Sequence, residues 1–259
     1  MKYVDLHSHI AWEIDDGMPS MQDANIALQQ AKKDGIIAIA STPHIVPGQT
    51  SLQNLQYIYK RQLELSQLAK NYQIQIFHGA EMFMNNDFFQ ALEQNMYLTI
   101  NASKYMLCEF DVRKDISQIE NPEDFFYEIQ VRNMIPLLAH VERYFHKGVD
   151  LQQIQSWKQM GILIQVNRTS LLGLHGKTIQ KNAWDLLENG YASIICTDTH
   201  RAQGNRVEIL SDIYQEVYER LGADNAKRLF YTNPAHILNN EKVEPCTPIK
   251  RKKRLFGIL

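Results

Sequence analysis

The chain has 259 residues, 44% hydrophobic and 22% charged, with 27 Lys and Arg against 29 Asp and Glu and a formal net charge of −2. That length can bury a full core, the near-neutral charge excludes a global pull on nucleic acid, and no apolar run reaches membrane-spanning length. Three cysteines without close pairing make no disulfide framework, no apolar leader precedes Asp5 and His7, and the cytoplasm is the expected compartment.

Val4-Asp5-Leu6-His7-Ser8-His9-Ile10 reads as a strand ending in two histidines two residues apart. Residues i and i+2 of an extended chain face one side, so both imidazoles can reach one ion. The motif runs on to Asp15-Asp16-Gly17. Ser20 to Asp34 carries an apolar stripe at Ala24, Ala27, Leu28 and Ala31. Ser20 and Asp23 have capping-box-like spacing and Gly35 suits the position just past a helix end. Ile36 to Ala40 is a short buried strand that leads to Ser41-Thr42-Pro43-His44. A helix over 51–71 precedes a strand at 74–78 and Gly79-Ala80-Glu81. A helix over 87–94 precedes a strand at 105–108 and Glu109. A helix from Pro122 to about Arg132 precedes a strand at 135–139 and His140. A helix over 151–160 precedes a strand at 162–166 and Asn167. A helix over 179–189 precedes a strand at 192–196 and Thr197-Asp198-Thr199-His200. Arg206 to Leu221 and Asn225 to Leu238 read as closing helices.

Short apolar strands alternating with helices predict an α/β fold with seven parallel strands. Polar residues follow nearly every strand instead of gathering at one switch point, which favours a barrel with its chemistry at the C-terminal rim over a doubly wound sheet. The strand-end residues are His7, His9, Asp16, His44, Glu81, Glu109, His140, Asp198 and His200, all of types that bind divalent metals. Singly, each has an ordinary reading: His44 could cap a helix, Glu109 could pair with a lysine, and His140 could be a satisfied core histidine. Converging on one rim, they would repel or stay unsatisfied without cations. Nine donors exceed the needs of one ion, so two or three metals are expected.

The segments Asp5-Leu6-His7-Ser8-His9-Ile10, Ile14-Asp15-Asp16-Gly17, Ser41-Thr42-Pro43-His44, Gly79-Ala80-Glu81, Ala139-His140-Val141-Glu142-Arg143-Tyr144 and Thr197-Asp198-Thr199-His200 resemble the polymerase-and-histidinol-phosphatase (PHP) superfamily. Within it they are similar to the bacterial manganese-dependent protein-tyrosine phosphatases of capsule and exopolysaccharide operons. The resemblance implies a distorted seven-stranded parallel (β/α)7 barrel forming a single domain over residues 1–240, followed by a basic tail over 241–259. It also implies three divalent ions, manganese first, with iron, zinc, cobalt and magnesium as alternatives. One ion would take His7, His9, Glu81 and Asp198. Glu81 would bridge to a second ion at Glu109 and His140, and a third would take Asp16, His44 and His200. Two catalytic arginines complete the implied site: Arg143, and Arg206 with Arg201 competing for the second place.

Three divalent ions against four carboxylates leave an excess near two positive charges, which a phosphate monoester dianion would match. The expected reaction is attack by a metal-activated hydroxide while the arginines hold non-bridging oxygens. A thiolate mechanism fails on spacing, because the sixth residue after Cys108, Cys196 and Cys246 is Lys114, Ala202 and Lys252 instead of the required arginine. The leaving-group proton could come from His44, His200 or a bound water. The substrate implied by the resemblance is phosphotyrosine in a membrane-associated bacterial tyrosine kinase controlling polysaccharide export, with no nucleic-acid partner. Two other readings stand beside it: a phosphoesterase acting on a small molecule such as histidinol phosphate, and a catalytically silent regulatory module. Lys250-Arg251-Lys252-Lys253-Arg254, followed by Leu255-Phe256-Gly257-Ile258-Leu259, is either a solvated end or a contact with anionic lipid worth about 1 kcal/mol per basic residue. The lipid reading puts the protein at the inner face of the membrane.

Overall fold

The computed structural model describes residues 1–249; the basic run at 250–254 and the apolar end at 255–259 lie outside the described residues. Nine strands occur in the described residues: β1 (Tyr3–Ser8), β2 (Ile36–Ser41), β3 (His44–Ile45), β4 (Gln75–His78), β5 (Glu81–Phe83), β6 (Tyr105–Glu109), β7 (Ile135–Leu138), β8 (Leu163–Asn167) and β9 (Ile194–Cys196). All their pairings are parallel. They form two sheets, ordered β1-β2-β4 and β3-β5-β6-β7-β8-β9.

The count differs from seven because the chain leaves one sheet and enters the other at two neighbouring places. Pro43, which has no N–H to give a ladder, separates β2 from β3, and Gly79-Ala80 separates β4 from β5. The breaks lie side by side, held by Gly79 N donating to Ser41 O and Glu81 N to Pro43 O, each at 3.0 Å. The sheets do not close into one continuous ladder. Beyond the end of β9 the chain meets β1 through a Ser8–Thr199 bridge, with Asp198 N donating to His7 O at 2.9 Å and His9 N to Thr199 O at 2.8 Å.

The helices are α1 (Met21–Asp34), α2 (Leu52–Ala69), α3 (Phe88–Glu93), α4 (Pro122–Gln130), α5 (Leu151–Gln159), α6 (Arg168–Leu171), α7 (Lys177–Glu188), α8 (Ser211–Leu221), α9 (Ala223–Lys227) and α10 (Asn233–Leu238). Ser20 caps α1 by accepting from Asp23 N at 3.1 Å, and Gly35 ends it at φ 95°. Two expected helices change shape. Arg206 to Leu210 is a loop, because His200 N and Arg201 N both donate to Arg206 O at 3.0 Å and fold the chain back on itself, so α8 starts only at Ser211. The stretch expected as a helix from Asn225 is α9 and α10 joined by a π turn over Arg228–Thr232.

Strand alternation divides the core in two. Val4, Leu6, Ala38, Ala40, Tyr105, Leu107, Leu137, Ile194 and Cys196 form an inner cluster, on the face turned away from most of the helices, with Ile237 and Leu238 of α10. Ile39, Met106, Cys108, Leu138, Ile164, Val166 and Ile195, of the opposite parity, join the helices in the other. The final described segment packs on this body. Asn233 pairs with both backbone groups of Glu244, Asn225 with both of Thr247, and Ile249 N donates to Glu188 O at 2.9 Å. No helix of the described residues is long and apolar enough to cross a membrane.

Candidate metal centre

Parallel strands point their C-terminal ends the same way, and eight of the nine expected ligands stand at or just past strand ends or at the two sheet breaks. His7 and His9 straddle the end of β1, and Glu109 ends β6. His140 follows β7, and Asp198 and His200 follow β9. His44 and Glu81 open β3 and β5 just past the breaks. Asp16 comes from the loop after β1. The structure brings all nine together in four overlapping groups whose ligand atoms lie within 4.8 Å of one another: His7, His9 and Asp198; His7, Glu81 and His140; His44, Glu81 and Glu109; and His9, Asp16, His44 and His200.

Glu81 is the hub. Its Oε2 lies 3.1 Å from His7 Nε2, 3.2 Å from His9 Nε2 and 3.3 Å from His44 Nδ1, while Oε1 lies 3.1 Å from His140 Nε2. Glu109 faces His44 Nδ1 at 3.0 Å and His140 Nε2 at 3.4 Å. Asp16 Oδ1 sits between His44 Nε2 and His200 Nε2, at 3.4 and 3.3 Å. Burial works against charge on His7, but Glu81 and Asp198 outweigh it and hold the imidazole up at about 9. Burial, with His9 beside it, pushes His200 down to about 4. Burial also opposes ionisation of Glu81 and Asp198, yet His7 and the other cationic neighbours keep both carboxyls below their usual range.

Two features fit this donor set to divalent cations. His7 Nε2 and His9 Nε2 face each other at 3.2 Å with both rings fully buried, an arrangement that needs a proton or a shared cation between the lone pairs. His44 Nδ1 is buried close to two carboxylates without forming a hydrogen bond to either, as groups do when aimed at a common centre instead of at one another. Imidazole nitrogen with carboxylate oxygen suits borderline and hard divalent metals. His140 (φ 32°) and Asp198 (φ 53°) also hold left-handed backbone, which costs on the order of 1–3 kcal/mol per residue. Both are pinned there, by His140 N donating to Gln165 Oε1 at 2.8 Å and by Asp198 N on His7 O.

The centre forms one side of a cavity of about 510 Å³ whose other walls include Val46, Phe83, Val112, Arg113, Arg143 and Arg206. Arg206 Nη2 donates to Asp198 Oδ1 at 2.8 Å and lies 3.0 Å from His200 Nε2, while Arg143 Nη1 is 3.8 Å from Asp198 Oδ2. Arg201 turns elsewhere, donating to the carbonyls of Asp16, Gly17 and His200. Of the aromatics near the motifs, Phe83 lines the cavity, whereas Trp12 lies under the Arg61 guanidinium and Tyr144 packs edge-on to His140. Cys108 and Cys196 are buried, and burial pushes both thiols far above their usual range, so neither is a ready nucleophile.

Three functional residues escape a linear reading. Asp15 Oδ2 accepts from His9 Nδ1 and from His44 N, both at 2.8 Å, and so orients two of the ligand candidates at once. Its own loop turns at Gly17, where a Cβ would collide with His9. Gln165 and Asn167 touch His7, His140 and Asp198 from β8. A sequence signal existed for this pair, two amides at alternate positions of an otherwise apolar strand, but only the fold shows what they reach.

A family model described as "Capsular polysaccharide synthesis, CpsB/CapC" matches residues 3–239. The chain is 27% identical over 247 residues to the tyrosine-protein phosphatase CpsB of Streptococcus pneumoniae, covering 93% of this chain and 100% of the relative. It is 28% identical over 268 residues to the putative tyrosine-protein phosphatase CapC of Staphylococcus aureus, covering 99% and 100%. Its fold matches, with a TM-score of 0.81 and 22% identity over 96% of this chain and 100% of the other, a chain from the crystal structures of YwqE of Bacillus subtilis and CpsB of Streptococcus pneumoniae, described as unique metal-dependent tyrosine phosphatases.

Proposed function

Because the chain belongs to the CpsB/CapC family of capsular polysaccharide synthesis, we propose that it is a metal-dependent protein-tyrosine phosphatase. The observation that carries the reading is the convergence of nine nitrogen and oxygen donors beside a cavity that Arg143 and Arg206 line together with Arg113. We assign His7, His9, Glu81 and Asp198 to one ion, Glu81, Glu109 and His140 to a second, and Asp16, His44 and His200 to a third, with manganese as the metal. His44 stands between the last two groups, Nδ1 toward Glu109 and Nε2 toward Asp16.

Divalent ions held there supply Lewis-acid stabilisation of the phosphoryl oxygens and a water acidified enough to act as nucleophile near neutral pH. The chain's own groups do the rest. Arg143 and Arg206 hold the non-bridging oxygens of the phosphate by charge-assisted hydrogen bonds. Asp198 keeps Arg206 aimed at the cavity, and Asp15 keeps His9 and the backbone of His44 in place. Val46, Phe83 and Val112 form the apolar wall against which a phenyl ring rests.

We read the two sheets as a distorted seven-stranded barrel in which β2 with β3, and β4 with β5, are single interrupted strands. The separation of the core by strand parity and the Ser8–Thr199 meeting support this. The catalytic domain runs to about residue 240, and residues 241–249 pack on it as an extended connector. The substrate is a phosphotyrosine protein, a membrane-associated tyrosine kinase, met in the cytoplasm at the inner membrane face. The test is hydrolysis of a phosphotyrosyl peptide, with histidinol phosphate as comparison, alongside metal content before and after chelation, for wild type and His7→Ala. Activity should vanish with the metal and be lost in His7→Ala. Turnover that survives complete metal removal overturns the reading. In the same assay Arg206→Ala should lose about 10²–10³-fold in kcat and Arg201→Ala far less.

A further inference from the structure

β8 supplies none of the nine expected ligands, yet it is wired to three of them. Leu163 of β8 packs on the inner cluster, so Gln165 and Asn167, two and four residues on, continue the inward-facing row toward the metal centre. Both side chains are fully buried.

The donor and acceptor roles in this network follow from one group that can only donate, the backbone N–H of His140. It meets Gln165 Oε1 at 2.8 Å, which makes that atom the acceptor oxygen. His7 Nδ1 lies 3.1 Å from the same oxygen and must therefore carry its proton. Gln165 Nε2 is left to donate to Asn167 Oδ1 at 2.7 Å, and Asn167 Nδ2 in turn donates to Asp198 Oδ2 at 2.7 Å. Asn167 N is occupied as well, donating to Glu142 Oε1 at 2.9 Å. One backbone amide thus sets the direction of hydrogen bonds through four side chains on three strands or strand ends.

Two consequences bear on ion binding. When a cation takes the place of the second proton that Glu81 and Asp198 favour, His7 keeps its proton on Nδ1 and turns a bare Nε2 toward His9, Glu81 and Asp198. Asp198, with Oδ2 engaged by Asn167, turns Oδ1, which also accepts from Arg206 Nη2 at 2.8 Å, toward the histidines, 3.6 Å from His7 Nε2 and 3.7 Å from His9 Nε2. Groups behind metal ligands that fix tautomer and orientation typically change metal affinity 10–100-fold when removed.

We propose that Gln165 and Asn167 are positioning residues that hold His7 in its Nδ1–H tautomer and Asp198 with Oδ1 forward, and so set the affinity of the ion assigned to His7, His9, Glu81 and Asp198. The inference rests on the reading that these residues bind a divalent ion. Calorimetric titration of Mn²⁺ into metal-free full-length wild type, Gln165→Met and Asn167→Leu tests it, with thermal unfolding to identify folded variants. The folded variants should bind at least one Mn²⁺ about 10–100-fold more weakly. In ¹⁵N-histidine spectra of the Zn²⁺-loaded wild type, His7 should show a protonated Nδ1 and a metal-bound Nε2. If wild type binds no Mn²⁺, the metal reading itself falls and this inference with it. If wild type binds and folded variants bind within twofold of it, the relay alone is overturned. Metal on His7 Nδ1 overturns it without any variant having to fold.

Discussion

Glu208 is a buried carboxyl outside the metal centre, in contact with Asp5 and accepting from Ser8 Oγ at 2.6 Å. Burial first, and then the neighbouring Asp5 carboxylate, pushes Glu208 well above its ordinary 4.5. A carboxyl whose folded pKa is raised stabilises the fold fully below its unfolded value, and that contribution is lost as pH rises through the folded pKa. Glu208→Gln keeps the shape and stays neutral at every pH. Its melting temperature should therefore gain on wild type as pH climbs above the ordinary carboxyl range, by a few degrees. Parallel Tm curves across pH would contradict this. At the same scale, nine ligand candidates were legible because eight are chemically distinctive residues close after an apolar strand and Asp16 lies in the motif that runs on from the first of them. Asp15 was not singled out, because nothing in Asp15-Asp16 tells which carboxylate turns back to His9 Nδ1 and which points at His44 and His200. The choice between Arg206 and Arg201 was equally hidden. It depends on a loop folded through Arg206 O, a contact without a local signature.

Elements with long patterns came through as read: the Ser20 cap and Gly35 stop bound α1, and α2 falls within the helix expected over 51–71, with a Ser51–Asn54 cap that only the structure shows. The departures occur where neighbours, not propensity, decide. β3 is a two-residue strand that exists because His44 and Ile45 pair with Glu81 and Met82, partners 37 residues away in sequence. Residues 206–210 carry helix-compatible side chains, but Arg206 O is taken by His200 N and Arg201 N, and Leu210 N donates to Asp34 Oδ2. Strand parity makes its own prediction. Leu107 is fully buried in the inner cluster, so Leu107→Ala should cost about 2–5 kcal/mol in denaturant unfolding. Leu52→Ala, on the exposed start of α2, should stay within about 0.5 kcal/mol of wild type.

At the scale of the molecule, the packed segment from Glu241 to Ile249 ties the chain to α7, α9 and α10 before the basic run begins. If that run contacts anionic lipid, a chain lacking residues 250–259 should hydrolyse a soluble phosphotyrosyl peptide at the wild-type rate. It should also lose sedimentation with phosphatidylserine liposomes at low salt, where surface charge is least screened. Unchanged liposome binding would remove the tail from the mechanism. The sequence alone determined the α/β class, the parallel order and the ligand candidates, because hydrophobic period and residue chemistry are local properties. The tertiary structure decided which strands break, which arginine lines the cavity, and how Asp15, Gln165 and Asn167 hold the ligand candidates. Those outcomes depend on hydrogen bonds between residues as far apart as His7 and Gln165, whose partners are chosen only when the strands are brought side by side.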